Sequence, residues 1–310
     1  MFARDEKTAA QDEQAGLLHG KATLGAGGSS AWQLDAVLRR GFIRKVYGIL
    51  TAQLALTFGM IFLCVFVEPV KLQLCGMSSR VACDTCPYFT GASRSPSCMF
   101  MPSNPQQEVG SGVCNLSPQG GCFRPTPALS SALTLAALLS FAFVLAIACC
   151  DRFSRTYPTN YVALFAFTAC EAVVLAITCL FVDAVAVGLA AAMTALVTAG
   201  LTYYAWKTSA DFTGLGGYLY AALLTLVVGG FVGGFFSAFY STPWIQNLYA
   251  VGGCLLFSCY IVYDTQLIVG GQHKKHQFGM DDYVFAALNI YLDIINLFVY
   301  LLRLLNSRRD

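Results

Sequence analysis

Two aspartates, Asp264 and Asp293, lie inside the last two long apolar segments of the chain. A charged side chain at membrane depth costs at least ~2.5 kcal/mol on the insertion scale, so such a residue usually handles a proton, an ion or a buried partner. The two segments are consecutive and are joined by a loop of about a dozen residues, so their carboxyl groups can meet. Two carboxylates that close do not both ionise cheaply, and we expect the pair to share a proton. The alternative is that each aspartate only accepts hydrogen bonds from neighbouring side chains.

The final apolar segment carries a stripe of polar residues on one helical face. In a membrane, such a face must point at protein or water rather than at acyl chains. We therefore expect the last segment to be enclosed by the others, with its two asparagines as candidate residues of an ion path. The stripe has the helical spacing i, i+4, i+7 and i+11 and consists of Asn289, Asp293, Asn296 and Tyr300.

Glu171 is a third carboxyl group within an apolar segment. Carboxylate oxygens suit hard cations such as calcium, so Glu171 is a candidate member of a cation pathway that includes the two aspartates. A buried, neutral glutamic acid bonded to a neighbouring helix is an equal alternative. Arg152 and Arg155 follow the second apolar segment and are interpreted as topology anchors. A role as counter-ion to Asp264 is the alternative for either arginine.

The composition is that of a membrane protein. The 310 residues are 56% hydrophobic and only 12% charged, whereas soluble domains contain about 25% charged residues. Runs of about 20 apolar residues, the length that crosses a bilayer core, predict an all-α membrane protein with a bundle of seven transmembrane helices at 39–305. Membrane lipid is the expected surrounding, and no nucleic-acid partner is expected. The predicted spans are 46–67, 128–150, 160–182, 184–205, 217–240, 246–269 and 282–303.

The distribution of basic residues predicts the topology. Lys and Arg precede the first span and follow the second, fourth and sixth, but are absent from the loops after the third and fifth. The positive-inside rule therefore places the N-terminus in the cytosol, with 1–38 as a flexible tail. Seven crossings would place the basic residues at the C-terminal end outside the cytosol, which conflicts with the same rule. The last segment therefore either crosses the membrane regardless or is re-entrant. Residues 306–310 are interpreted as a C-terminal tail.

A long loop at 69–127 separates the first two spans and holds six of the 13 cysteines. The predicted topology places it outside the cytosol, where disulfides persist, although the spacing does not determine their pairing. The alternative is a zinc site at the C-x-x-C pair, but a second half-site of similar spacing is absent from the sequence. The candidate disulfide cysteines are Cys75, Cys83, Cys86, Cys98, Cys114 and Cys122.

Several segments resemble the Bax inhibitor-1 motif family, and in particular its lifeguard branch. They extend from about 39 to 305, and the run in the last span is the most specific. The segments are Arg39-Arg-Gly-Phe-Ile-Arg-Lys-Val-Tyr47, Cys149-Cys150, Tyr157-Pro-Thr-Asn160, Phe167-Thr-Ala-Cys-Glu171, Asp211-Phe-Thr213, Tyr263-Asp-Thr-Gln266 and the run from Asp282 to Asn296.

The resemblance implies a bundle whose last helix is central, and a calcium-permeable leak across an intracellular membrane, of the endoplasmic reticulum or Golgi, that suppresses cell death. It implies that Asp264 and Asp293 are a di-aspartyl pH sensor that gates the leak and binds calcium only transiently. Calcium is then the permeant ion, no cofactor is needed, and cell-death regulators or other channels are the implied partners. Relatives place a basic residue on the second helix beside the pair, whereas the second span here contains none.

Three other functions are compatible with two acids on adjacent membrane helices. Intramembrane aspartyl proteases carry their second acid in a Gly-x-Gly-Asp motif, but the residues before Asp293 are Asn289-Ile-Tyr-Leu, so an enzyme is not expected. A proton/calcium antiporter would exchange the two ions at the acidic pair. A non-conducting anti-apoptotic scaffold would need neither aspartate.

Overall fold

A computed structural model describes residues 37–67, 70, 127–150, 156–237, 243–270 and 276–307. The chain divides into a short N-terminal unit, Met1–Lys45, and a main unit, Val46–Asp310. Within the first unit the described residues are helical. Several predictions fall outside the described residues, namely most of the N-terminal tail, the candidate counter-ions Arg152 and Arg155, and the six candidate disulfide cysteines of the loop at 69–127.

The described residues contain seven helices that are long and apolar enough to cross a membrane. This confirms the predicted all-α, seven-span architecture. The first helix begins before its predicted span because its basic first turns, with Arg39 and Arg44, remain helical. The helices are α1 Val37–Phe66, α2 Pro127–Cys149, α3 Thr159–Leu180, α4 Ala184–Lys207, α5 Gly216–Ser237, α6 Pro243–Val269 and α7 Tyr283–Ser307, with a short 3-10 helix at Thr213–Leu215.

Local signals explain two of the helix ends. Asp183 lies at the N-cap of α4, and its carboxylate accepts a hydrogen bond from the backbone N–H of Ala186 at 3.3 Å, which satisfies one of the free N–H groups of the first turn. The end of α6 is formed by Gly270, whose φ of 61° is the left-handed conformation that glycine adopts without strain. Its N–H donates to the carbonyl of Gln266 at 2.9 Å, and this turn starts the chain back toward α7.

Helix α7 lies in the interior of the bundle. In its most apolar 18-residue stretch 67% of the residues are buried, against 6% in α5. It packs against α3, α4 and α6, and it reaches α1 through an edge-on contact of Phe58 with Phe298, whose ring centroids are 5.4 Å apart. The prediction that the other helices enclose the last one is therefore confirmed.

The length of α7 favours a full membrane crossing over a re-entrant segment. Its 25 residues form one uninterrupted helix, which at 1.5 Å per residue is about 37 Å long. A hydrocarbon core is about 30 Å thick, so this helix is long enough to span it.

Glycines set how closely α6 approaches its neighbours. A Cβ atom on Gly253 would lie 2.6 Å from the ring of Tyr300 on α7, so only glycine leaves room for this aromatic side chain. One turn before Gly253 on α6, the Tyr249 hydroxyl donates to the Leu226 carbonyl of α5 at 2.9 Å, and it lies over Gly230 in the same way. Small residues thus let α6 pack against both α5 and α7.

We expect Gly253→Ala to destabilise the protein, whereas the neighbouring substitution Gly252→Ala should not. The added methyl at 253 meets a buried ring, and overpacking of this kind costs about 1–3 kcal/mol. A Cβ on Gly252 meets nothing within 4 Å, so the same change there tests only helix propensity. Thermal unfolding of both variants in detergent measures the difference, and equal melting temperatures would contradict the close approach of α6 and α7.

Candidate functional site

The structure brings Asp264 of α6 and Asp293 of α7 together. Their carboxyl groups hydrogen-bond to each other, and the two residues are only 4% and 5% exposed. A carboxylate is an acceptor only, so a hydrogen bond between two carboxyl groups requires that one of them carries a proton. The second oxygen of Asp293, Oδ2, is buried and has no hydrogen-bond partner within the described residues. A pair of buried, neighbouring carboxyl groups is thus the central feature of the site.

Aromatic side chains close the site on the side away from the predicted cytosolic end. Phe257 lies seven residues before Asp264 on α6, and Tyr300 lies seven residues after Asp293 on α7. Because the two helices are antiparallel, both rings lie two turns from the carboxyl pair on the same side of it, about 10 Å away at 1.5 Å per residue. The rings stack with centroids 5.8 Å apart, and the Tyr300 hydroxyl donates to that of Tyr249 at 3.3 Å.

Gln266 fixes the opposite side of the site, and the sequence analysis did not single it out. Its side chain is fully buried and bonds to the connection between α4 and α5. The amide nitrogen donates to the Ala210 carbonyl at 2.9 Å, and the amide oxygen accepts the N–H of Phe212 at 2.8 Å. These bonds hold the end of α6, two residues beyond Asp264, against that connection.

The α4–α5 and α6–α7 connections are joined to each other. The Asp211 carboxylate accepts from both the N–H and the hydroxyl of Thr213, at 3.0 and 2.6 Å. The Thr213 hydroxyl in turn accepts the backbone N–H of His276 at 3.2 Å. The Asp211-Phe-Thr213 and Tyr263-Asp-Thr-Gln266 segments therefore form one hydrogen-bonded layer at the predicted cytosolic end. Both segments carry the family resemblance, which was the only signal in the sequence that linked them.

Glu171 contacts different residues from those around the two aspartates. Its carboxyl oxygen accepts the Ser140 hydroxyl of α2 at 2.6 Å, and its side chain lies near Tyr291 of α7. Tyr291 precedes Asp293 by two residues, a rotation of about 200° on a helix with 3.6 residues per turn. Tyr291 and Asp293 are consequently on different sides of α7.

The side of α7 that bears Tyr291 carries further buried hydrogen bonds. The Tyr291 hydroxyl lies 2.8 Å from that of Thr57 on α1. One turn away on α1, the amide nitrogen of Gln53 donates to the Thr168 hydroxyl of α3 at 2.9 Å. The Thr57 hydroxyl also donates to the Gln53 carbonyl at 3.0 Å, so these four groups form a polar layer between α1, α3 and α7, and none of them was singled out from the sequence as a site residue.

The two asparagines of the predicted polar stripe behave differently from the aspartate between them. Asn296 donates its amide nitrogen to the Leu292 carbonyl of its own helix at 2.8 Å, so its polar group is satisfied locally. Asn289 is half-buried. Within the described residues no group of three or more His, Cys, Asp or Glu side chains could hold a metal ion.

Comparison with known proteins matches residues 39–310 to the family described as "Inhibitor of apoptosis-promoting Bax1". The chain belongs to the Bax inhibitor-1 family. Human protein lifeguard 3 is 28% identical over 281 residues, which cover 91% of this chain and 73% of that protein. Mouse protein lifeguard 4 is 37% identical over 153 residues, which cover 49% of this chain and 60% of that protein. The resemblance to the lifeguard branch is therefore confirmed.

Membership of the Bax inhibitor-1 family agrees with the architecture. The family consists of membrane proteins without enzymatic activity, and the seven apolar helices make this member an integral, multi-pass membrane protein. Among the segments that carried the resemblance, Tyr263-Asp-Thr-Gln266 contributes one carboxyl of the pair and the buried glutamine, and the run from Asp282 to Asn296 contributes the other carboxyl.

We expect Gln266→Leu to destabilise the protein by about 2 kcal/mol, the cost of leaving buried backbone partners unsatisfied. Leucine fills a similar volume, but it leaves the N–H of Phe212 and the carbonyl of Ala210 without their partner. Gln246→Leu is the matched control, because Gln246 lies on the same helix and is exposed. Chemical or thermal unfolding in detergent distinguishes the variants. Equal stability of the two would show that Gln266 does not anchor the connection.

Proposed function

We propose that this protein is a pH-sensitive calcium leak channel of an intracellular membrane, gated by Asp264 and Asp293. The observation that carries the proposal is the hydrogen bond between these two buried carboxyl groups on neighbouring helices. The shared proton links α6 to α7. When it leaves, two negative charges face each other in a medium of low dielectric, where their repulsion is much stronger than in water.

The surroundings of the pair support a closed gate. The stacked rings of Phe257 and Tyr300 fill the space between α6 and α7 on one side, and the hydrogen bonds of Gln266 hold the other side. An ion that passes along these helices must separate them. Loss of the shared proton supplies that separation, so the leak is closed while the proton is present and opens as rising pH removes it.

Within this mechanism, calcium is the permeant ion rather than a bound cofactor. Two deprotonated carboxylates offer oxygen ligands that suit a hard divalent cation, and they do so only in the open state. Glu171 belongs to the pathway rather than to the gate, because its described hydrogen-bond partner is Ser140 on α2. Asn289 and Asn296 complete the candidate polar positions along α7.

The cellular role that we propose is suppression of cell death through a lower calcium content of the store, in the endoplasmic reticulum or Golgi. The description of the family as an inhibitor of apoptosis-promoting Bax1 supports this assignment. Cell-death regulators or other channels are then the partners to seek.

Calcium efflux from liposomes that contain the purified protein tests the gate. We expect wild-type flux to rise with pH across about pH 5–8, the range in which carboxyl groups in apolar sites titrate. Asp264→Asn and Asp293→Asn should flatten this dependence, because an asparagine amide donates to the remaining carboxylate without a titratable proton. Asp281→Asn is the control, since Asp281 is exposed in the α6–α7 connection.

The same assay distinguishes the competing functions. An antiporter predicts that calcium efflux drives an equivalent proton influx, which a pH dye inside the liposomes reports. A scaffold predicts no calcium flux at any pH, together with full suppression of cell death by the double asparagine variant in cells. Either result would contradict a passive, proton-gated leak.

A separate prediction concerns Glu171. We expect Glu171→Gln to lower the calcium flux several-fold while leaving its pH dependence in place, because the substitution removes a pathway charge but not the shared proton. Glutamine still accepts the Ser140 hydroxyl, so the α2–α3 contact is kept. A loss of pH dependence in this variant would place Glu171 in the gate instead of the pathway.

A further inference from the structure

Two adjacent cysteines lie at the end of α2. The helix ends at Cys149, and Cys150 continues its last turn, because its N–H donates to the Ala146 carbonyl at 3.0 Å. Both residues are exposed, and both carry free thiols. The positive-inside count makes this the cytosolic end of α2. Thiols on that side of a membrane are kept reduced, so both cysteines are available for other chemistry.

Exposed aromatic side chains mark the membrane surface on the same side of the bundle. Trp206 lies in the last turn of α4 and is 64% exposed, and Tyr218 lies in the first turn of α5 and is 78% exposed. By the alternation of the spans, these two helix ends face the cytosol together with the end of α2. Trp and Tyr are enriched at the boundary between bilayer and water. The thiols of Cys149 and Cys150 therefore lie close to this boundary rather than deep in the hydrocarbon.

Cys149 belongs to the face of α2 that points away from the bundle. It continues a series of exposed apolar residues at i, i+3, i+7 and i+11, which share one helical face and are Leu138, Phe141, Leu145 and Cys149. The opposite face is buried: Ile147 is only 1% exposed, and the Ser140 hydroxyl donates to Glu171 of α3. A hydrocarbon chain attached to the Cys149 Sγ atom would thus enter the bilayer without displacing any contact between α2 and α3.

Other described cysteines lack this combination of exposure and depth. Cys64 and Cys179 are buried. Cys259 is exposed, but it lies ten residues before Val269, the cytosolic end of α6. That separation is about 15 Å at 1.5 Å per residue, which is half of a hydrocarbon core of ~30 Å. A charged, water-soluble reactant does not reach that depth, so Cys259 is a natural control for lipid exposure without access from the cytosol.

We propose that Cys149 and Cys150 are sites of S-acylation by long-chain fatty acids. Exposed cysteines at the cytosolic end of a membrane helix are the positions at which this reversible modification occurs. The two acyl chains anchor the end of α2, a helix of which only 17% of the most apolar stretch is buried in the bundle. The proposal depends on the cytosolic position of this helix end, and it does not depend on the calcium leak.

The reaction exchanges one thioester for another. In the net reaction, the cysteine Sγ forms a bond to the carbonyl carbon of a long-chain acyl-coenzyme A, and the bond from that carbon to the sulfur of coenzyme A breaks. The proton of the cysteine thiol passes to that sulfur, so coenzyme A leaves as a free thiol. No oxidant or reductant takes part. Hydrolysis of the new thioester by water restores the cysteine and releases the fatty acid, which makes the anchor reversible.

An acyl-exchange assay on the full-length protein from membranes of cultured eukaryotic cells tests the proposal. Disulfides are reduced, free thiols are blocked with N-ethylmaleimide, thioesters are cleaved with hydroxylamine, and the released thiols are labelled with a polyethylene glycol maleimide. We expect a hydroxylamine-dependent mass shift for the wild-type protein and for Cys259→Ser, and none for the double variant with Cys149→Ser and Cys150→Ser. A wild-type protein without the shift, or a double variant that retains it in full, would overturn the proposal.

A second set of measurements guards against loss of the label through misfolding. Each single variant, Cys149→Ser or Cys150→Ser, should carry one maleimide adduct fewer than the wild-type protein and should have the same melting temperature in detergent. Cells fed an alkyne-tagged palmitate should yield wild-type peptides that carry the tag at these two cysteines, as mass spectrometry of the peptides would show. Tagged peptides that contain only other cysteines, or single variants with the full number of adducts, would contradict the assignment.

Discussion

The contact between two buried carboxyl groups is the interaction on which the proposed mechanism depends. Neither Asp264 nor Asp293 has room for a full hydration shell, because both are almost completely buried between α6 and α7. A single negative charge is tolerated there only with a close donor, and in the proposed mechanism the protonated partner is that donor. The contact between the two helices therefore depends on protonation in a way that ordinary apolar packing does not.

The rest of the bundle holds this contact in place. Gly253 lets the Tyr300 ring lie against α6, Gln266 ties the end of α6 to the α4–α5 connection, and the polar layer at Tyr291 holds α7 against α1. Each of these contacts fixes the position of α6 or α7, and the carboxyl pair lies between these two helices. Because other contacts hold these helices in position, the gain or loss of one proton changes mainly the contact between α6 and α7.

The sequence predicted the helices and the two aspartates because both signals are local. Seven apolar runs stand out by length, and a carboxyl group within such a run is conspicuous whatever surrounds it. Gln266 and Gln53 were missed because their importance depends on partners more than fifty residues away in the chain. Helical periodicity placed Asn296 beside Asp293 correctly, but it could not reveal that the Asn296 amide bonds to its own helix.

Infrared difference spectroscopy across a pH titration tests the shared proton most directly, since a protonated carboxyl group absorbs apart from a carboxylate. The account predicts one protonated-carboxyl band that disappears as the pH rises and that is absent or strongly shifted in both Asp264→Asn and Asp293→Asn. The band should persist in Asp281→Asn. Identical spectra of the wild-type protein and of either variant within the pair, across the whole titration, would contradict the central claim.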